Sequence, residues 1–442
     1  MYHSAFRFMS LLLAILAAGC VSSPGDGDRG VTVDYVPSAF PVNPALYTAG
    51  DTQYVAYYDS LHRMTVASRR LPDGAWHRRT LDERVGWDSH NSIAMCRDGQ
   101  GVLHVSGNMH VSPLVYFRSD ATGDVATLER VESMTGSDER MTTYPAFMPL
   151  ADGRLVFHYR SGGSGNGNEI YNILGPDGVW RRLLDEPLTD GRGLMNAYMR
   201  GPAMGPDGWF HLIWVWRDTP DCSTNHDLSY ARSRDLIHWE SLSGTPVPLP
   251  ITSLTEGLTV DAAQNGGGLI NIGIELGFDA ENRPVVGYHK YDERGYTQLY
   301  VARAEDGAWH TQRLTDWAWR WDFKGNGTIV NELLIDRPRV AADGRLTLGY
   351  RRYDPATGES RSAEATADAA TLAPLGERPA SPLYPAWVTR PERPEPGMTV
   401  NVVGDAGDGG YVLRWESLPP NRDLEPEGEL PAASELRVVR LP

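Results

Sequence analysis

Short runs rich in Val, Tyr, Trp and Phe follow one another along this chain, with apolar and polar residues alternating and helical spacing almost absent. Alternation with a period of two is the mark of strands with a covered face. Asp-Gly and Pro-Asp-Gly pairs break the runs, and such pairs favour the tight turns of β-hairpins. One phrase of turn, strand and polar exit recurs: RDGQGVLHVSGN at 97–108, ADGRLVFHYRS at 151–161, PDGWFHLIWVWR at 206–217, DAENRPVVGYHKYD at 279–292 and ADGRLTLGYRRYD at 342–354. A second phrase is interleaved with it, as LVYFRS at 114–119, LSYARS at 228–233 and LYVARA at 299–304.

The turn aspartates Asp98, Asp152, Asp207, Asp279 and Asp343 are spaced 54 to 72 residues apart. A repeat of that size holding several strands predicts the blades of a propeller. Adding YVAYYDSLHRMTVASRR at 54–70 and the closing runs GGYVLRWES at 409–417 and ELRVVRL at 435–441 gives an all-β, seven-bladed β-propeller. Its first and last segments are expected to share one blade, and a β-sandwich repeat is the alternative. The propeller is expected to occupy residues 34–442 as a single domain, with the Pro-rich stretches 371–399 and 418–431 as loops within it.

The N-terminus reads as a targeting segment. MYHSAFRFMSLLLAILAAGC has one early Arg7 and an apolar run too short to cross a bilayer. It ends in Leu16-Ala17-Ala18-Gly19-Cys20, a lipobox, which predicts a lipoprotein signal peptide at 1–19, lipid on Cys20 and a flexible tether over 20–33. The expected location is extracytoplasmic, with membrane contact through the lipid alone. Val21 in place of an acidic residue leans toward the outer membrane of a Gram-negative cell.

Charge narrows the partners. The chain carries −16, and −17 once Arg7 leaves with the signal. Its mean field repels phosphate, so no nucleic acid is expected, and binding an acidic ligand requires locally concentrated positive charge. With only Cys96 and Cys222 remaining after Cys20, the fold is not framed by disulfides. A monomer is expected.

The polar groups that stand out lie between Trp87 and Arg160: WDSHNSIAMC at 87–96, SGNMH at 106–110, TTYP at 142–145 and FHYRSGGSGNG at 157–167. His90 and His110 fall outside clean apolar alternation, whereas His104, His158 and His211 alternate within strands and read as satisfied structural histidines. A base, a phenol and a fixed cation are the parts needed to remove a proton beside the carboxylate of a sugar acid. The glycines of SGGSGNG lack the Lys-Ser/Thr and helix of a phosphate loop and read as a tight turn lining a pocket.

DSHNSIAM, GNMHVSPLVYFRS, TYPAF, FHYRSGGSGNG, WVWRDTPDCSTNHDLSYARS and WRWDFKGNGT, taken together, resemble the BNR-repeat family of secreted seven-bladed propellers, which includes the ulvan lyases of polysaccharide lyase families 24 and 25. The resemblance spans about Asp34 to Tyr353. It implies a polysaccharide lyase acting by β-elimination on an acidic, uronate-containing glycan, with ulvan and its rhamnose-3-sulfate/uronate repeat as the implied substrate. By the same resemblance His90 and His110 match a pair of active-site histidines, Tyr144 a catalytic tyrosine, Arg160 a carboxylate-neutralising arginine and Tyr198 a further active-site tyrosine. The expected division has His90 as base, Tyr144 as acid (or as both in a syn elimination) and Arg160 as neutraliser, while Asn91, His110, Tyr198 and Arg217 bind the sugar. No cofactor is required for that chemistry.

Related lyases carry a structural zinc, and Cys222, His226 and His289 are candidate ligands here; a buried thiol beside an Asn-capped turn is the other reading. Arg217 and Arg320 are candidates to read a sulfate. Two rivals remain open: a propeller hydrolase releasing rhamnose from rhamnosyl-glucuronate, and a non-catalytic glycan-binding propeller.

Overall fold

In the computed structural model, residues 30–441 are described apart from Ser381, Pro394 and Asp408; the expected signal peptide, Cys20 and most of the tether lie outside them. The described residues form seven antiparallel sheets. The Asp-Gly turns are the cause of the repeat. Each joins the first and second strands of one sheet: Ala94–Arg97 to Leu103–Ser106, Thr142–Pro149 to Leu155–Gly163, Asn196–Met204 to Phe210–Arg217, and Ile274–Phe278 to Pro284–Tyr291. The second recurring phrase supplies the third strands Tyr116–Arg118, Asn225–Ser233 and Thr297–Glu305.

The turn aspartates act through their side chains. Asp98 Oδ1 accepts from the backbone N–H groups of Gln100 and Val102, both at 2.9 Å. Its other oxygen meets His104 Nε2 at 3.1 Å, and His104 Nδ1 meets the Tyr116 hydroxyl at 2.7 Å. Asp207, His211 and Tyr230 repeat this chain at 2.9 and 2.7 Å. A carboxylate that mimics a backbone turn thus also ties that turn to the second and third strands, and His104 and His211 are satisfied structural residues. His158 departs from that expectation: it is buried in its strand, stacked on Tyr171, and its Nδ1 has no partner.

Successive sheets meet through their first strands. Ala45–Ala49 lies against Ala94–Arg97, which lies against Thr142–Pro149; Asn196–Met204 lies against Ile274–Phe278, and Thr399–Gly404 returns to Ala45–Ala49. Apolar clusters fill the spaces between neighbouring sheets, with Val156, Tyr171, Trp214 and Trp216 in one and Val33, Val55, Leu413 and Trp415 in another. The result is a propeller-like ring. Val31–Val36, from the start of the chain, pairs with Ser434–Arg440 from its end, so both termini lie in one sheet as the sequence suggested. The strand begins at Val31, three residues inside the segment read as tether, because pairing with Arg437 and Val438 begins there.

Candidate active site

Loops at one mouth of the ring collect side chains from five sheets. Asp88 organises the first group. Its Oδ1 accepts from the backbone N–H and from Nδ1 of His90, each at 2.8 Å, and its Oδ2 takes the Nδ1 of His110. The two imidazoles stack with centroids 4.2 Å apart. From the far end of the chain, Asp423 brings a second carboxylate to 3.3 Å from His90 Nδ1. Asp423 is itself fixed by Thr328, which donates from its hydroxyl at 2.7 Å and its backbone N–H at 3.0 Å. Burial alone would lower the pKa of His90, but Asp423 and Asp88 outweigh it and push it up to about 9. His90 is therefore an imidazolium at neutral pH, and its Nδ1 is held by carboxylates.

Tyr144 joins this group with its ring 6.1 Å from His90. Its backbone sits at φ 57°, where the pairing of Thr142–Pro149 with Leu155–Gly163 breaks between Thr143 and Ala146. Val111, beside His110, has the same φ, and its N–H is held by Thr143 Oγ1 at 2.8 Å. A left-handed conformation at a β-branched or aromatic residue costs about 1–3 kcal/mol and persists only where the surroundings enforce it. Bulges of this kind re-aim side chains next to active sites. At 37% exposure Tyr144 is the most open of the converging groups, yet protein crowds its hydroxyl end. That desolvation, with the neighbouring Tyr198 phenol, holds its pKa above the usual phenol value against the pull of Arg160.

Arg160 and Arg217 enclose Tyr198. Arg160 donates from Nη1 to the Tyr198 hydroxyl at 3.3 Å, and the same hydroxyl shares a 2.7 Å hydrogen bond with Ser164 Oγ. The Arg217 guanidinium carbon stands 3.9 Å from the centroid of the Tyr198 ring. Arg217 donates to Asn225 and Asn271, both neutral acceptors, at 3.2 and 2.6 Å. Among the described residues no carboxylate pairs with either guanidinium. Burial would raise the Tyr198 pKa, but Arg217 and then Arg160 outweigh it, and the phenol is lowered.

The glycine-rich turn makes this possible. Arg160 passes over Gly167, where a Cβ would come within 3.0 Å of its side-chain carbons, and the turn carries Ser164 to Tyr198. Arg160 is only 1% exposed. It lies beneath Tyr144 and Tyr198, 5.0 and 5.6 Å from their ring centroids, and acts on the mouth through them. A cavity of about 840 Å³ adjoins the site, lined by Arg140, Met141, Ser161, Gly162 and Asn166 among others.

The structure thus brings together His90, His110, Tyr144, Arg160, Tyr198 and Arg217. Asn91 is buried against the loop instead: it donates to the Asp88 carbonyl, and its own carbonyl accepts from Tyr58 at 2.8 Å. Asp88, Asp423, Thr328 and Ser164 were missed. Asp88 lay within a motif chosen for its histidine, and nothing in the sequence near Asp423 links it to His90.

The candidate zinc ligands do not converge. His226 has both ring nitrogens engaged, by Asp227 and Asp218, each at 2.9 Å. His289 is sealed between Gly273 and Trp321 with neither nitrogen bonded. Cys222 is a buried thiol whose carbonyl accepts from Asn225 at 2.6 Å. The residues present therefore do not fit a zinc site there. Among the described residues the group with ligand-like spacing is Asp88, His90 and His110, where protons already join the partners. Arg320 is tied to Asp322 and to the Gly295 carbonyl and stacks on Tyr291.

Residues 52–317 match the model of a family described as BNR repeat-containing. No curated protein matches the sequence. Among solved structures, the polysaccharide lyase Uly1 aligns with TM-score 0.58 at 13% identity over 91% of this chain and 90% of that one. An ulvan lyase of polysaccharide lyase family 25, bound to -[GlcA(1-4)Rha3S]-, aligns with TM-score 0.61 at 12% identity over 93% and 96%.

Proposed function

The chain belongs to the BNR repeat-containing family, and from that premise and the geometry of the mouth we propose that it is a polysaccharide lyase on a seven-bladed propeller, cleaving a uronate-containing glycan by β-elimination. The observation that carries this reading is Tyr198, a phenol lowered by two guanidiniums that have no carboxylate partner, beside an imidazole that two carboxylates keep protonated. In a protein of net charge −16, that is the concentrated positive charge an anionic sugar needs.

The roles follow from the protonation states. His90, cationic at neutral pH, suits the uronate carboxylate, whose negative charge must be offset before C5–H becomes acidic. Tyr198, as phenolate, takes the C5 proton. The C4–O4 bond breaks as C4=C5 forms, and the departing O4 takes a proton from Tyr144, whose raised pKa keeps it a phenol. Arg160 lowers Tyr198 from beneath, and His110 holds Asp88 in place. Relative to the sequence expectation, the base moves from His90 to Tyr198, and the neutralising charge at the surface of the mouth moves to His90.

The substrate proposed is ulvan-like, a rhamnose-3-sulfate/uronate polymer, since a neighbour of this fold was solved with such a repeat bound. The cavity beside Ser161–Gly163 offers room for further sugar units. We further propose a lipid-anchored, extracytoplasmic monomer that needs no cofactor. The hydrolase alternative is disfavoured because a two-carboxyl mechanism finds Asp88 and Asp423 both engaged by His90. The test is to incubate the mature protein with ulvan and other uronate glycans and follow the ultraviolet absorbance of a 4,5-unsaturated uronate. Release of rhamnose without that absorbance would sink the lyase reading.

A further inference from the structure

Glu169 lies directly across the ladder from Arg160 in the pairing of Leu155–Gly163 with Asn166–Leu174. It is 7% exposed. Among the described residues, no hydrogen bond or ion pair joins its carboxyl to Arg160, which turns instead to Tyr198 and the Gly162 carbonyl. Around it are buried polar atoms with no partner: Arg160 Nη2, His158 Nδ1, Tyr171 hydroxyl, Thr189 Oγ1 and Trp214 Nε1. His158 and Tyr171 form the next cross-strand pair, Thr189 pairs with Glu169 from the other side, and Trp214 packs from the neighbouring sheet in one cluster with Tyr171. An ionised carboxylate among so many unpartnered donors would be expected to gather them, and it has gathered none.

Resting on the lyase reading, we propose that Glu169 is a positioning residue for the elimination: held uncharged opposite Arg160, it leaves the guanidinium's full charge to act on Tyr198, and its ionisation withdraws that charge and slows the reaction. Burial raises the Glu169 carboxyl and Arg160 opposes, with a net rise to about 8. The other groups facing it do not replace that control. His158 is pushed down to about 4 by burial and is neutral, and Tyr171 is raised far above the usual phenol range. The neighbouring sheet presents Trp214, which does not titrate, while Arg217 and Tyr198 lie beyond Arg160.

The experiment compares wild type with Glu169→Gln in two ways. The pH profile of kcat should lose its fall near pH 8 and hold its rate toward pH 9, where His90 loses its proton, while KM changes little. Independently of any substrate, the Tyr198 titration, read as the tyrosinate absorbance difference against Tyr198→Phe in each background, should move to lower pH in Glu169→Gln. Glu169→Asp, which keeps an acid in place if the amide fails to fold, should keep a carboxyl-dependent fall but shift it. Superimposable profiles and titrations in wild type and variants would overturn the proposal. If no uronate glycan yields an unsaturated product, the lyase reading fails, and the Tyr198 titration still decides the coupling to Glu169.

Discussion

The carboxylate of Asp423 stands 3.3 Å from Nδ1 of His90, although the two residues come from opposite ends of the chain. Closure of the ring makes that contact, and with Asp88 it determines that the imidazole carries charge at neutral pH. Asp423→Asn should lower the His90 pKa from about 9 toward its ordinary value. A shift of one unit corresponds to about 1.4 kcal/mol, so the alkaline fall of kcat/KM should move down by about one pH unit. The rate at pH 8 should drop several-fold, with little change at pH 6. A pH–rate series on the two proteins checks this.

The same pairing has a stability signature. His90 has its folded pKa raised, so its contribution is complete below the ordinary histidine value of about 6.5 and disappears as pH rises through about 9. Asp88 is depressed, first against burial and then by the two histidines, so its contribution is present above the usual carboxylate range and lost in acid. The melting temperature should therefore fall from pH 7 to pH 10 in wild type, and Asp423→Asn should flatten that decline. Thermal denaturation across the range, with unchanged curves for the two proteins, would remove the pairing as a source of stability.

Much of this site could be read from the chain, and the part that could not is physically distinct. Strand, turn and repeat are local properties, written by Asp-Gly pairs and alternation, so the sheets and the convergence of His90, His110, Tyr144, Arg160, Tyr198 and Arg217 were accessible. Charge state is not local. His90 looked like a base because neither Asp423 nor the double use of Asp88 is visible in SHNS, and Tyr198 looked like a binding residue because the flanking guanidiniums come from other strands. Asn91 failed as a sugar contact for the same reason: its neighbours in space, the Asp88 carbonyl and Tyr58, already occupy it.

Tyr144 and Tyr198 should separate under substitution. Each change to Phe removes a proton carrier and should lower kcat by about 10²–10⁴-fold. Tyr198→Phe should also abolish the rise of rate with pH on the acidic side, because that limb belongs to the phenol lowered by Arg217 and Arg160. In Tyr144→Phe the residual activity should retain it. Arg217→Gln, which leaves Tyr198 with Arg160 alone, should move the limb to higher pH. Profiles of all three variants on one uronate glycan make the comparison, and an unmoved limb in Arg217→Gln would remove the electrostatic account of Tyr198.

The backbone at Tyr144 offers the sharpest conflict between stability and activity. A left-handed φ of 57° at an aromatic residue is strain that the fold retains where the ring faces the mouth. Asn tolerates that region better than Tyr because its short polar side chain can bond locally, and little apolar surface is lost at a residue 37% exposed. Tyr144→Asn should thus leave the melting temperature unchanged or raise it, by up to about 1 kcal/mol of added stability, while activity falls to background. A residue kept only for packing would behave in the opposite way, with stability lost and turnover spared. Differential scanning calorimetry alongside the lyase assay distinguishes the two, because strain confined to Tyr144 predicts that the variant gains or holds stability in the same protein that has lost its chemistry.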